Sequence, residues 1–211
     1  NGPVDVATGD FAYVAIPETS PVHIGMEKPY STLASVLARF HVELPAHLRP
    51  RHMHLDPDFA HLTYGDQGER AKQLRAHLRP SDAVVFYAAL KDVRGAPELV
   101  YAIIGLFVVQ DFVLAMDIPA HDRDTNAHSR RVLAPGAQDL VVRGRPGVSG
   151  RLKQCLPIGE YRKGAYRVRR NLLEEWGGLS VKDGYLQRSA RLPRFRDPPR
   201  FLRWMEGQRP V

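Results

Sequence analysis

Four short stretches of the chain carry side chains able to do chemistry. The densest is His52-Met53-His54-Leu55-Asp56-Pro57-Asp58, with His61 just beyond it. Imidazoles and carboxylates this close together suit a divalent metal. They equally suit metal-free acid/base work, with Asp56 pairing to His54 and fixing its tautomer. They also suit a plain loop in which Asp58 and His61 make capping hydrogen bonds. The residues alone leave these three readings open. A second stretch, His121-Asp-Arg-Asp124-Thr-Asn126-Ala-His128-Ser-Arg130-Arg131, offers Asp122, Asp124 and His128 as further ligands. There Asn126 suits a base edge, and Arg130 and Arg131 suit phosphate or carboxylate; a polar surface loop is the simpler alternative.

The third stretch is Thr63-Tyr64-Gly65-Asp66. Asp66 reads as a helix cap, but that does not account for Tyr64-Gly65, where a glycine lets backbone approach a ligand closely. The fourth, Val148-Ser149-Gly150-Arg151-Leu152-Lys153, exposes backbone N–H groups beside Arg151 and Lys153 and reads as an anion site. The first stretch resembles the opening half of the metallo-β-lactamase metal motif, with Pro57 where that motif has its second histidine. No G-x-x-x-x-G-K-[ST], G-x-S-x-G, C-x-x-C or G-x-G-x-x-G occurs, so those phosphate-loop, hydrolase, zinc and dinucleotide signatures have no support.

The elements that must position these groups are mixed. Phe11 to Ile16 reads as a strand after a Thr8-Gly9-Asp10 turn, and Ser31 to Phe40 as a short amphipathic helix. Asp66, with Glu69 three positions on, has the pattern that opens a helix, with Ala71, Leu74 and Leu78 on one face and Pro80 after its end. Ala83 to Leu90 and Glu98 to Val109 are apolar, β-rich runs joined by a polar turn, which predicts a hairpin at the centre of the core. Further strands are expected at Phe112 to Met116, Leu140 to Arg143 and, as an exposed edge, Arg162 to Arg169. Asn171 to Trp176 reads as a helix stopped by Gly177-Gly178, and residues 191–200, with four arginines and three prolines, as an extended arm. The fold class expected is α+β: one domain around a small, mostly antiparallel sheet or barrel, with a basic extended C-terminal segment.

Charge separates the chain into two parts. Residues 1–142 hold 13 Lys+Arg and 17 Asp+Glu, whereas residues 143–211 hold 17 and 6. All nine histidines lie in the first part. The net +7 over 211 residues points to an anionic partner, although genome-wide arginine bias explains a basic tail equally well. The lone Cys155 excludes an intrachain disulfide and a cysteine-only zinc site. The longest apolar run, Leu99 to Gln110, falls short of the roughly 18 residues of a membrane span. No charged-then-apolar leader follows Asn1, so a cytoplasmic protein is expected, with no membrane partner.

The ordered set Gly2-Pro3-Val4-Asp5 with Phe11 to Pro17, His54-Leu-Asp56-Pro-Asp58-Phe, Leu62-Thr-Tyr-Gly-Asp66, Asp82 to Leu90, and Asn126-Ala-His128 with Arg130-Arg131 resembles the third of the nucleotide-modification-associated domain families. The likeness runs to about Ile158 and is loose beyond it. It implies a domain over 1–158, a basic extension over 159–211 packed on it, and a setting among base-modification enzymes without an assigned reaction. In that family a glycine-rich segment normally precedes the Gly-Pro stretch; this sequence lacks it. More loosely, Ser81 to Tyr87 followed by Ile103 to Val109 resembles pseudouridine-synthase-like (PUA-like) base-reader barrels, in which a flipped base meets aromatic walls. That likeness offers Phe86, Tyr87 or Tyr101 as a wall, where core packing is the alternative.

Three functions follow as expectations. The first is a nucleic-acid or nucleotide-binding protein linked to DNA base modification, with Tyr64, Asn126 and Tyr87 on the base and Arg130, Arg131, Arg143, Arg145, Ser149 and Arg151 on phosphate. The second is an enzyme acting on a nucleotide or modified base through His54, Asp56, Asp58 and His128, by acid/base or metal-assisted chemistry. The third is a non-catalytic module that docks a protein partner of a base-modification system. The residues do not name a cofactor or a metal.

Overall fold

The computed structural model describes residues 1–187 and 191–208. Ten strands appear in chain order: β1 (Pro3–Val4), β2 (Ile16–Pro17), β3 (Met53–His54), β4 (Thr63–Asp66), β5 (Ala83–Asp92), β6 (Leu99–Leu114), β7 (Leu140–Gly144), β8 (Gly150–Pro157), β9 (Gly159–Arg162) and β10 (Ala165–Val168). The α-helices are α1 (Ala34–Ala38), α2 (Gly68–His77), α3 (Ala127–Arg130), α4 (Arg170–Glu175) and α5 (Pro198–Gly207). The main sheet has the order β1-β5-β6-β7-β4, with β8 also pairing β6; β2-β3 and β9-β10 form small sheets of their own. The fold is therefore α+β. Among the described residues the strand order of the main sheet closes into no barrel, so the PUA-like alternative is not met.

By compactness the chain divides into two units. One comprises Asn1–Tyr13, Tyr87–Ile104 and Leu152–Val211; the other comprises Val14–Phe86 and Gly105–Arg151. In the second unit β7 pairs antiparallel with β6 on one side and β4 on the other. Phe59, Phe86 and Phe107 meet edge to face, with Phe86 and Phe107 centroids 4.6 Å apart. Gly105 makes that packing possible: a Cβ there would lie 2.7 Å from Phe59 Cζ. In the first unit β1 runs parallel to β5, and Trp176, Phe201 and Trp204 pack edge to face or tilted.

Several expectations change in detail. The hairpin strands are present, and the expected strand at Phe112 is the continuation of β6, which reaches Leu114 past a register shift between Val109 and Asp111. Phe11 forms only an isolated bridge with Val4, and the ladder begins at Ile16. The helix at 31–40 is a 3-10 turn over Tyr30–Leu33 that passes into α1. Asp66 does not cap α2. It ends β4, the N-cap position falls to Gln67, and Asp66 accepts from the Gln67 N–H at 2.9 Å. The edge strand at 162–169 is β10, hydrogen-bonded to β9 across a Lys163-Gly164 turn with φ of 50° and 73°.

The extended arm expected at 191–200 ends sooner. Asp197 accepts from Arg200 N–H at 3.1 Å, and Pro198 and Pro199 occupy the first helical turn, where a missing N–H costs nothing. Phe201, Trp204 and Met205 then bury one face of α5 at helical spacing. No helix among the described residues is long and apolar enough to cross a membrane.

Candidate metal centre

The β2–β3 ladder sets Ile16 opposite His54 and Pro17 opposite Met53. Glu18 follows directly, its N–H bonded to His52 O at 2.9 Å, and its Oε2 lies 2.6 Å from His54 Nδ1. Asp56 stands two residues beyond His54, the spacing that returns a side chain to the same side of extended backbone. Its Oδ1 accepts from Gly65 N–H at 2.7 Å and Asn126 Nδ2 at 3.2 Å. Asn126 is the N-cap of α3, its Oδ1 accepting from His128 N–H at 2.8 Å. That cap fixes the backbone that presents His128, whose Nδ1 lies 2.6 Å from Asp139 Oδ2.

These contacts bring His54, Asp56 and His128 together. One ligand atom from each lies within 4.8 Å of the others, and the two imidazole centroids are 5.1 Å apart at 75°. Each ring has a carboxylate on Nδ1. A carboxylate accepts, so Nδ1 carries the proton, and Nε2 of a neutral ring keeps its lone pair. This is the arrangement that orients metal-binding histidines and raises their basicity. Gly65 makes it possible sterically. A Cβ there would lie 2.6 Å from Asn126 Oδ1 and 2.8 Å from His128 Cγ, with Cδ2 closer still.

The charges around the centre are unequal. Burial disfavours the Glu18 carboxylate, but hydrogen bonds from His54 and Arg131 outweigh it and hold the group well below the usual carboxylate range. Arg131 grips both Glu18 oxygens through Nε at 3.1 Å and adds Nη2 to Oε1 at 2.8 Å. Asp56 goes the other way. Burial pushes its carboxyl up to about 6, although His128, Gly65 N–H, His54 and Asn126 all favour the anion.

In the metal-free protein this has a measurable sign. Between a free aspartate's 3.8 and the folded value of about 6, the unfolded chain releases a proton that the folded chain keeps. Asp56 therefore lowers stability as pH rises from about 4 to about 6, by up to about 3 kcal/mol. Glu18 acts in the opposite sense, so the parent must be compared with Asp56→Asn. Urea midpoints in chelator are expected to favour the variant at pH 7 and to coincide near pH 4. A difference that does not change with pH would refute this assignment.

Beside the centre, Asn126 Nδ2 reaches Thr63 Oγ1 at 3.2 Å, and Thr63 lines a cleft. His61, Asp117, Asp122, Thr125 and Arg143 supply its polar walls, and Val113, Ile118 and Val141 its apolar ones.

A family model described as nucleotide modification associated domain 3 matches residues 1–196. The chain belongs to that family. No curated protein and no solved structure matches it.

In this nucleotide modification associated domain, the other residues singled out from sequence occupy different places. Asp58 is 1% exposed and pairs with Arg130 Nη2 at 2.5 Å. Its Oδ1 accepts from Ala60 and His61 N–H, as a capping loop would. The carboxylate on His54 Nδ1 is that of Glu18. Tyr64 alternates with Gly65 along β4; its hydroxyl donates to Asp66 Oδ2 at 2.6 Å and its ring meets Phe86 at 5.3 Å. Tyr87 lies in the first unit, donating to Leu186 O at 2.7 Å.

The candidate phosphate ligands each have partners within the chain or lie exposed. Arg130 and Arg131 are occupied by Asp58, Asp124 and Glu18. Arg143 is exposed and pairs with Asp111, Arg145 donates to Ser81 Oγ at 3.0 Å, and Ser149 Oγ bonds the backbone of Val108. Arg151 is exposed in β8. Sequence reasoning missed Glu18 and Asp139 altogether. Each is an isolated carboxylate in its own stretch, and only the pairing of distant segments makes it a partner of a histidine.

Proposed function

We propose that this nucleotide modification associated domain is a metal-dependent enzyme acting on a nucleotide or a base. One observation carries the reading: His54, Asp56 and His128 converge within 4.8 Å while Glu18 and Asp139 each hold an imidazole by Nδ1. A site that only reads a base needs hydrogen-bonding edges turned outward. Here Asn126 spends its two amide donors on Asp56 and Thr63. Two nitrogens and one carboxylate suit a divalent transition metal and leave further coordination positions open. Such an ion lowers the pKa of bound water and polarises a substrate oxygen. The chain itself orients both rings, places Asp56 against Gly65 N–H, and offers the cleft beside Thr63 for the substrate. The substrate class rests on the family.

The test is direct. Protein loaded with zinc, manganese or ferrous iron, and protein stripped by chelator, are incubated with nucleotides and with oligonucleotides carrying ordinary and modified bases. Products are read by mass spectrometry. Turnover is expected in a metal-loaded sample, with none after stripping or in Asp56→Ala. Equal turnover in stripped protein would remove the metal, and no stoichiometric metal uptake would remove the reading as a whole.

A further inference from the structure

Six of the eight tyrosines, Tyr13, Tyr87, Tyr101, Tyr161, Tyr166 and Tyr185, lie in the first unit. Four of them form a continuous run of rings. Tyr101 and Tyr166 stack with centroids 4.5 Å apart and planes 22° apart; Tyr161 meets Tyr166 at 5.1 Å; Tyr87 lies 6.4 Å from Tyr101. The β9–β10 register sets Tyr161 directly opposite Tyr166, so both rings stand on one face of the hairpin. Gly159, next on that face, has no side chain to intervene: a Cβ there would lie 2.5 Å from Tyr101 Cβ. The run is held in place, since Tyr166 Oη accepts from Leu99 N–H at 2.8 Å and Tyr87 donates to Leu186 O. It is also open, for Tyr161 is 60% exposed and Tyr87 36%.

We propose that this tyrosine face is a stacking platform for single-stranded nucleic acid. A base out of a duplex presents its π-face to an exposed ring, and a fixed ring loses little freedom on stacking. The charge of the hairpin fits the same partner. Residues 159–170 carry Arg162, Lys163, Arg167, Arg169 and Arg170 against the single Glu160. Asp183 is shared among Arg162, Lys163 and Arg167, which leaves the hairpin positive, with Arg162 and Arg167 on the face opposite the rings and Lys163 at the turn between the strands. Lys163, 69% exposed at the turn, is placed to meet a phosphate. The platform's rings belong to the first unit and the proposed metal ligands to the second, so the two readings are tested by different residues.

The test is fluorescence anisotropy with a labelled thymidine oligonucleotide of about ten residues at low salt, set against a duplex of the same length. The parent is expected to bind the single strand more tightly than the duplex and to lose affinity steeply with salt. Tyr161→Ala is expected to weaken binding by about 5- to 150-fold, with Tyr161→Trp restoring it. Tyr161 is exposed, so circular dichroism matching the parent checks that the variants fold. Equal affinity for duplex, no binding of the single strand, or unchanged binding by Tyr161→Ala would each overturn the platform.

Discussion

A chain carrying His128→Ala is expected to retain only background divalent metal under conditions where the parent retains one ion per chain. The substitution leaves Asp56 and His54 as two ligands, too few to hold an ion against water and buffer. Loss of the imidazole also frees Asp139, a buried carboxylate whose hydrogen-bonded partner in the fold is that ring. Elemental analysis after gel filtration reads the stoichiometry, and competition with a chromophoric chelator reads the affinity. A graded variant separates ligand loss from misfolding. Asp139→Asn keeps the shape and the acceptor oxygen but removes the charge behind Nδ1, and is expected to weaken binding by about 10- to 100-fold. If His128→Ala holds metal as tightly as the parent, the three residues are not the site. If Asp139→Asn changes nothing, the carboxylate–imidazole pair is a packing contact.

Asp58→Ala is expected to cost about 3–5 kcal/mol of stability, read from urea unfolding. Arg130 is 2% exposed and lies among Asp58, Asp124 and the Asp124 carbonyl. Its Nη1 already has no hydrogen-bond partner among the described residues. Removing Asp58 leaves a buried guanidinium with a single, half-exposed carboxylate, and strips acceptors from Ala60 and His61 N–H. The penalty belongs to the orphaned charge. Asp58→Leu with Arg130→Met, which removes both charges, is therefore expected to recover most of the loss. A cost under about 1 kcal/mol for Asp58→Ala would contradict this account.

The consequence extends to the centre. Asp58 sits two residues after Asp56, and Arg130 two residues after His128. Their ion pair ties together the two segments that carry ligands, so the same variant is expected to bind metal more weakly than the parent. Arg131 acts similarly on the other side, holding Glu18 against His54. Two arginines that suggested phosphate are thus spent on carboxylates that position the histidines. A guanidinium and a carboxylate attract wherever the fold brings them together, and nothing in a linear run of residues says which acid will be near.

Much of the local structure was legible. The β-branched and aromatic runs read at 83–90 and 98–109 lie almost wholly in the long strands 83–92 and 99–114, and Ala71 and Leu74 mark the buried face of α2. The Gly177-Gly178 stop follows α4 with φ of 74° and 93°. These are properties of neighbouring residues, which periodicity and propensity report. The misread segments depended on more. Asp66 has the chemistry of a cap, but pairing of β4 with β7 through Leu140 claims it for the sheet. The arm read over 191–200 gives way to α5 at Pro198, because prolines count against a helix interior, whereas Pro198 and Pro199 stand in the first turn.

The sequence by itself determined which groups were available: a histidine-bearing body, a basic last third, two separate His/Asp clusters, and a glycine beside Tyr64 with no local reason to be there. It could not select among nine histidines, because ligand geometry comes from segments that meet only on folding. The tertiary structure brings two of them, His54 and His128, together with Asp56. Register in the β2–β3 ladder placed Glu18 behind His54; the Asn126 cap turned His128 inward; Asp139 met it from eleven residues away. Gly65 then has its explanation in the space His128 and Asn126 occupy. A metal centre is a relation between distant backbones, and strand pairing with buried ion pairs is what sets it.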